Sequence, residues 1–167
     1  NRAGGIIGNS YTANVTGCCA MGDVEGGRPT GGLVGRNYGD ITDSYAMGDV
    51  TGGDVGGFGG ENADSISKSY STGSVPDSGG GLVWDNSGTI SESYFDTSSD
   101  NNYGTQLSTS EMQGDSAPDN MAGFDFSSTW ETVKASDSDA TADGYPILQS
   151  IDRTTQLQQR GIYQVSA

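Results

Sequence analysis

The sequence predicts an all-β fold: a parallel β-solenoid of about four 24–27-residue rungs, followed by a C-terminal capping segment with one short helix. Three observations predict it. A Gly-rich unit recurs along the first 97 residues, and helical spacing of apolar residues is missing from it. Gly accounts for 28 of the 167 residues, and each opposes a helix by about 1 kcal/mol. Hydrophobic residues make up 32% and charged residues 17%, which favours a thin, many-turned fold over one with a thick core.

The repeat is clearest in its second copy: Gly31-Gly32-Leu33-Val34-Gly35, Ile41, Ser44-Tyr45 and Gly48-Asp49-Val50. After 25 residues come Gly56-Gly57-Phe58-Gly59-Gly60, Ile66, Ser69-Tyr70 and Gly73-Ser74-Val75, and after 24 more Gly80-Gly81-Leu82-Val83, Ile90 and Ser93-Tyr94. An earlier copy reads Gly4-Gly5-Ile6-Ile7-Gly8, Val15, Cys18-Cys19 and Gly22-Asp23-Val24, with Cys19 where the others have Tyr. A unit of two short apolar strands between Gly, Asn and Asp turns cannot bury its own apolar side, whereas a stack of such units does.

Stacking turns equivalent residues into columns. Two positions after each Ile stand Asp43, Lys68 and Glu92, a ladder of alternating sign at about 4.8 Å per step, where each exposed attraction is worth about 0.2–1 kcal/mol. These residues share strand parity with the inward Ile, so a corner must separate them from it. Beyond that corner Ser44, Ala46, Gly48 and Val50 are expected to point inward, and Tyr45, Met47 and Asp49 outward. The parity creates a candidate interaction stripe, Tyr45, Tyr70 and Tyr94, that either stacks on a sugar or a protein partner or is covered by the chain's own tail. On the first alternative Tyr70→Ser would disturb partner binding and leave the fold intact.

The periodicity ends near residue 98, giving rungs over 1–97, a cap over 98–150 and a tail or edge strand over 151–167. Ser108-Thr109-Ser110-Glu111 reads as a capping box, predicting a helix from about Thr109 to Gly114. Phe126 and Trp130 form an apolar pair, and Asp143-Gly144-Tyr145-Pro146-Ile147-Leu148 reads as a turn entering a strand. Leu157, Ile162, Tyr163 and Val165 alternate weakly, as an edge strand would.

The formal net charge is −15, from 22 acidic and 7 basic residues. That disfavours nucleic acid and anionic membranes as partners. Asp dominates over Glu and Lys is scarce, a balance suited to high salt, where the Debye length falls to about 3 Å at 1 M. The absence of His removes Ser-His and Cys-His catalysis and His-ligated zinc. No cofactor or metal is expected. Adjacent Cys18 and Cys19 are read as two small packed residues, because a bridge between neighbours is strained. No apolar run approaches the length of a membrane span. The chain opens at Asn1 without Met, as a mature protein or fragment does. Asn14-Val15-Thr16 is a glycosylation sequon, with Asn14 as acceptor in an exported protein.

With Gly-Gly-Leu-Val-Gly followed by Ile, Ser-Tyr and Gly-Asp-Val, the chain resembles GLUG-motif repeat proteins over roughly residues 4–150. Such repeats occur in haemagglutinin-type surface adhesins and in the non-catalytic part of immunoglobulin-A-specific metallopeptidases. The resemblance implies a non-enzymatic extracellular module of a cell-surface appendage or adhesin, and the Asp-rich, Lys-poor composition adds a halophile source; self-assembly, neighbouring repeats or surface glycans are the expected partners. A virion fibre, spike or filament subunit is the alternative. A carbohydrate-active β-helix enzyme is third: Asp43 and Glu92, two rungs apart at roughly 9.6 Å, lie near the upper edge of inverting-glycosidase spacing, but a solvated charge ladder explains both.

Overall fold

The computed structural model describes residues 2–96 and 103–164. The chain forms two compact units, residues 1–106 and 107–167. The boundary expected at 97/98 lies outside the described residues, and Thr105–Gln106 still belongs to the first unit by pairing in parallel with Tyr94–Phe95.

The first unit is the predicted parallel β-solenoid. Ile7–Ser10, Val34–Asn37, Gly59–Asn62 and Val83–Asn86 form one four-stranded parallel wall. Val15–Thr16, Asp40–Thr42, Ser65–Ser67 and Thr89–Ser91 form a second, with Val15, Ile41, Ile66 and Ile90 in one column. Cys19–Ala20, Tyr45–Ala46, Tyr70–Ser71 and Tyr94–Phe95 form a third. Inside lie Leu33, Phe58 and Leu82 stacked on Val34, Ile41, Ala46, Ile66, Val83 and Phe95. At the first turn this column ends in Ile6, which is 45% exposed.

The paired glycines follow from the contour. At Gly31 a Cβ would meet the carbonyl oxygen of Val34, and at Gly32 that of Gly57 in the next turn. The bend is too tight, and the neighbouring turn too near, for any side chain.

Polar columns join the turns as firmly as the apolar ones. Asn37 Nδ2 donates to Asn62 Oδ1 at 2.9 Å, and Asn62 Nδ2 to Asn86 Oδ1 at 2.7 Å. Each amide also holds its own turn, Asn37 donating to Gly39 O at 2.6 Å and Asn62 to Asp64 O at 3.1 Å. Asn37 and Asn62 are buried. A serine column runs parallel to them. The N–H groups of Cys18, Ser44 and Ser69 donate to the hydroxyls of Ser44, Ser69 and Ser93 at 3.2–3.3 Å. Each hydroxyl donates to the carbonyl two residues earlier at 2.8–2.9 Å. Cys18 occupies the serine position of the first turn, its thiol directed to Thr16 O at 3.6 Å, and no disulfide joins it to Cys19.

Ser44, Ala46, Gly48 and Val50, expected to point inward, are buried. Of the equivalent residues in the neighbouring turns, Ala20, Ser69, Ser71 and Gly73 are buried, Cys18 and Val24 are half-buried and Gly22 is exposed on the outermost turn, while Val75 is half-buried outside any strand and followed by Pro76.

The second unit differs from expectation in its helices. Ser108 and Glu111 do form the capping contact, Ser108 N donating to Glu111 Oε2 at 2.8 Å, but only a turn follows. A 3₁₀ segment Gly114–Ser116 leads into a helix at Ala117–Asn120. Gly114, at φ +54°, breaks the earlier turn, and Pro118 starts the later one. Gly144–Leu148 is the strand that the Asp-Gly-Tyr-Pro-Ile-Leu run predicts, and it pairs antiparallel with Trp130–Val133. Phe124, rather than Phe126, packs on Trp130, with centroids 4.6 Å apart.

The tail is corrected from edge strand to helix over Arg153–Gln159. Asp152 caps it by accepting from Thr155 N at 2.8 Å, and Leu157 is buried with Val133, Ala140 and Ile147. Strand-like pairing survives in a single bridge between Ala140 and Tyr163, and Val165 lies outside the described residues. Arg153 is clamped by Glu131, Asp137 and Asp139 at 2.6–2.9 Å, which raises its pKa and lowers that of Asp139. Among the described residues no helix is long and apolar enough to cross a membrane.

Removing a central amide should open the column on both sides. Asn62→Ala is expected to cost about 1–3 kcal/mol in chemical denaturation, since the half-buried Asn86 Oδ1 loses its donor and the buried Asn37 Nδ2 loses one of its acceptors.

Candidate functional site

The ladder residues sit where one wall turns into the next. In three consecutive turns Asp43, Lys68 and Glu92 adopt left-handed backbone, at φ 48°, 48° and 46°, and the first turn has Gly17 there at φ 63°. The corner is therefore at the charged residue itself. The inward Ile precedes it by two positions, and the buried serine follows it directly. Asp43 and Lys68 are half-buried and Glu92 is exposed. The Asp43 carboxylate accepts from Thr42 Oγ1 at 3.1 Å.

The tyrosine column is aligned as expected: Tyr45, Tyr70 and Tyr94 share one register with Cys19, and the rings of Tyr45 and Tyr70 stack at 5.1 Å and 8°. Its exposure is corrected. Tyr45 and Tyr70 are 0% exposed and Tyr94 6%, so the stripe is no open docking face. Register aligns the rings in a column, and burial depends on what packs around them. Tyr70→Ser would remove a buried stacked ring and should destabilise the fold.

Exposed aromatics occur on another wall. Tyr11 and Tyr38, 70% and 37% exposed, stack at 6.1 Å with their planes 4° apart. The Arg36 guanidinium lies 5.5 Å from the Tyr38 centroid and also pairs with Glu61 on the next turn. Arg36, Glu61 and Asp85 occupy one column with Asn9. Sequence reasoning missed this patch, whose signal was a Tyr directly after Ser10 and again after Asn37, column residues of the first two turns. Asn14 is exposed just before Val15–Thr16, in reach of modification.

Among the described residues the first turn has strand partners on one side only: Ala3–Gly4, Ile7–Ser10, Val15–Thr16, Cys19–Ala20 and Val24–Glu25 each pair with the second turn. The buried Asn9 Oδ1 has no hydrogen-bond partner among the described residues.

Left-handed backbone costs a residue with a Cβ about 1–2 kcal/mol. Lys68→Gly is therefore expected to change stability by less than about 1 kcal/mol in urea unfolding, because relief of the left-handed strain is offset by the lost ladder attraction and added unfolded-state freedom, whereas Lys68→Val should destabilise the solenoid.

The GLUG motif matches residues 26–51. The chain is 35% identical to halomucin of Haloquadratum walsbyi over 195 aligned residues, which cover 99% of this chain and 2% of that protein. It is also 35% identical over 115 residues to a "Putative Gly-rich membrane protein" of Evansella cellulosilytica, covering 58% of this chain and 13% of the relative. The chain thus spans a small fraction of the length of either relative. No solved structure matches. Residues 26–51, which carry the GLUG motif, correspond to one complete turn of the β-solenoid, and equivalent turns stand in register on either side of it.

Proposed function

We propose that the chain is a non-enzymatic structural and adhesion module of an extracellular, cell-surface protein of a high-salt organism. The observation that carries this reading is the use made of its polar residues. The asparagine and serine columns hold one turn to the next, and Asp43 and Glu92 are corner residues with Lys68 between them. Similarity to halomucin along 99% of the chain and an exposed sequon at Asn14 agree with it.

The partner that fits the first turn is another turn of the same kind. Five one-sided strands and the exposed Ile6 form a template that a further GLUG turn would pair with and cover. The same surface would serve self-assembly, while surface glycans remain a partner for the exposed side walls.

Two measurements test the reading. Antibodies against the solenoid should label intact cells that carry the protein; labelling only after permeabilisation would overturn the surface assignment. The melting temperature should rise as salt increases from about 0.1 M to about 1 M, because the Debye length shortens from about 10 Å to about 3 Å and the net charge of −15 repels itself less. A melting temperature insensitive to salt would remove the high-salt assignment.

A further inference from the structure

The solenoid breaks its own repeat at one place, and the break makes a recess. From the last Val of a turn to the first Gly of the next there are seven positions at Val24–Gly31, six at Val50–Gly56 and five at Val75–Gly80. The bonds before this corner keep their register, Val24 N donating to Asp49 O and Val50 N to Ser74 O, both at 2.9 Å. The corner itself therefore shortens turn by turn, and Pro76 lacks the N–H that another strand would need.

A second departure lies beside it. Gly8, Gly35 and Gly60 form one column of the first wall, and its fourth member is Trp84. At Gly60 a Cβ would strike Pro29 and Thr30 of the neighbouring corner, which leaves no room for a side chain. At the fourth turn the corresponding corner residues are Asp54 and Val55, and there the column carries an indole instead. The result is a cavity of about 290 Å³ lined by Arg28, Asp54, Val55, Pro76, Ser78 and Trp84, together with glycine backbone. Arg28 Nη1 lies 3.4 Å from Asp54 Oδ1 at its rim.

We propose that this recess is a carbohydrate-binding site that takes one neutral pyranose ring at the end of a glycan. Trp84, Val55 and Pro76 offer an apolar wall for the C–H face of a sugar. The Arg28–Asp54 pair offers planar donors and acceptors to adjacent hydroxyls, and Ser78 adds one more hydroxyl. Because Asp54 already balances Arg28 in a chain of net charge −15, an uncharged sugar is favoured over an anionic one. The volume lies near the lower end of ligand clefts, about 300–1,000 Å³. The proposal deepens the adhesive part of the surface-module reading, and its test on the soluble protein does not depend on where the chain resides.

The test is a titration of the indole N–H resonances of Trp84 and Trp130 with N-acetylglucosamine, methyl β-galactoside and sodium glucuronate. At least one neutral sugar should shift the Trp84 signal and leave that of Trp130 in place. Trp84→Gly restores the residue of the other turns and should abolish binding, followed through backbone amides, without lowering the unfolding midpoint. Asp54→Asn keeps a residue that tolerates left-handed backbone, and it should weaken binding at least tenfold, as should Arg28→Ala. No shift with either neutral sugar, equal binding by Asp54→Asn and Arg28→Ala, or tighter binding of glucuronate than of both neutral sugars would each overturn the proposal.

Discussion

Residues 24–27 positions apart come to lie against one another only if every turn follows nearly the same contour, and the rest of the solenoid depends on that equality. It lets the Asn37 amide meet the Asn62 amide, and the Ser44 N–H meet the Ser69 hydroxyl, in one orientation at every level. A thin core of Leu33, Phe58 and Leu82 would define the stack poorly by itself, because apolar contacts tolerate sliding. Directional amide and hydroxyl columns do not, since a slip of one residue leaves buried groups without partners. Gly31 and Gly32 enforce the same contour sterically, with carbonyl oxygens occupying the space a side chain would need.

What was legible in the sequence follows from this constraint. Repetition at fixed spacing determined the stack and the Ile column, because both are consequences of register. The corner was deduced from a clash of parity, and left-handed Asp43, Lys68 and Glu92 supply it. Cover was the illegible part. Repetition aligned Tyr45, Tyr70 and Tyr94 in one column but could not reveal that they are buried. The asparagine column was hidden for another reason: Asn near Gly reads as a turn residue, and in this fold it both closes a turn and binds the next one. In the tail, weakly alternating Leu157, Ile162 and Tyr163 drew attention from Asp152 and Thr155, whose cap contact starts a helix.

Deviations from a repeat carry information that the repeat cannot. A Gly at the position of Trp84 would be explained by crowding alone, as at Gly60. A tryptophan there requires a corner that has drawn back, and the shortening from Val24–Gly31 to Val75–Gly80 provides it. Tyr11 and Tyr38 follow the same logic, since they stack on the first two turns while Ala63 and Ser87 follow the next two column asparagines. Distinct surface chemistry is thus written onto a scaffold whose inward columns stay nearly constant.

The charge of the chain obeys the columns as well. Asp23 Oδ1 accepts from Asp49 N at 2.9 Å, and Asp49 Oδ1 accepts from Ser74 N at 2.9 Å, so two aspartates stack one turn apart on an exposed edge. At about 4.8 Å two unit charges repel by about 1 kcal/mol even in bulk water. Each carboxylate offsets this by taking a backbone N–H from the next turn, and the column ends at Ser74, which needs an acceptor below and brings no third charge. At the left-handed corner the charges of Asp43, Lys68 and Glu92 alternate in sign instead, so like does not follow like from one turn to the next. Register that places like on like therefore makes an acidic solenoid sensitive to screening at defined columns, so the benefit of salt should concentrate at the Asp23–Asp49 edge more than at the alternating corner.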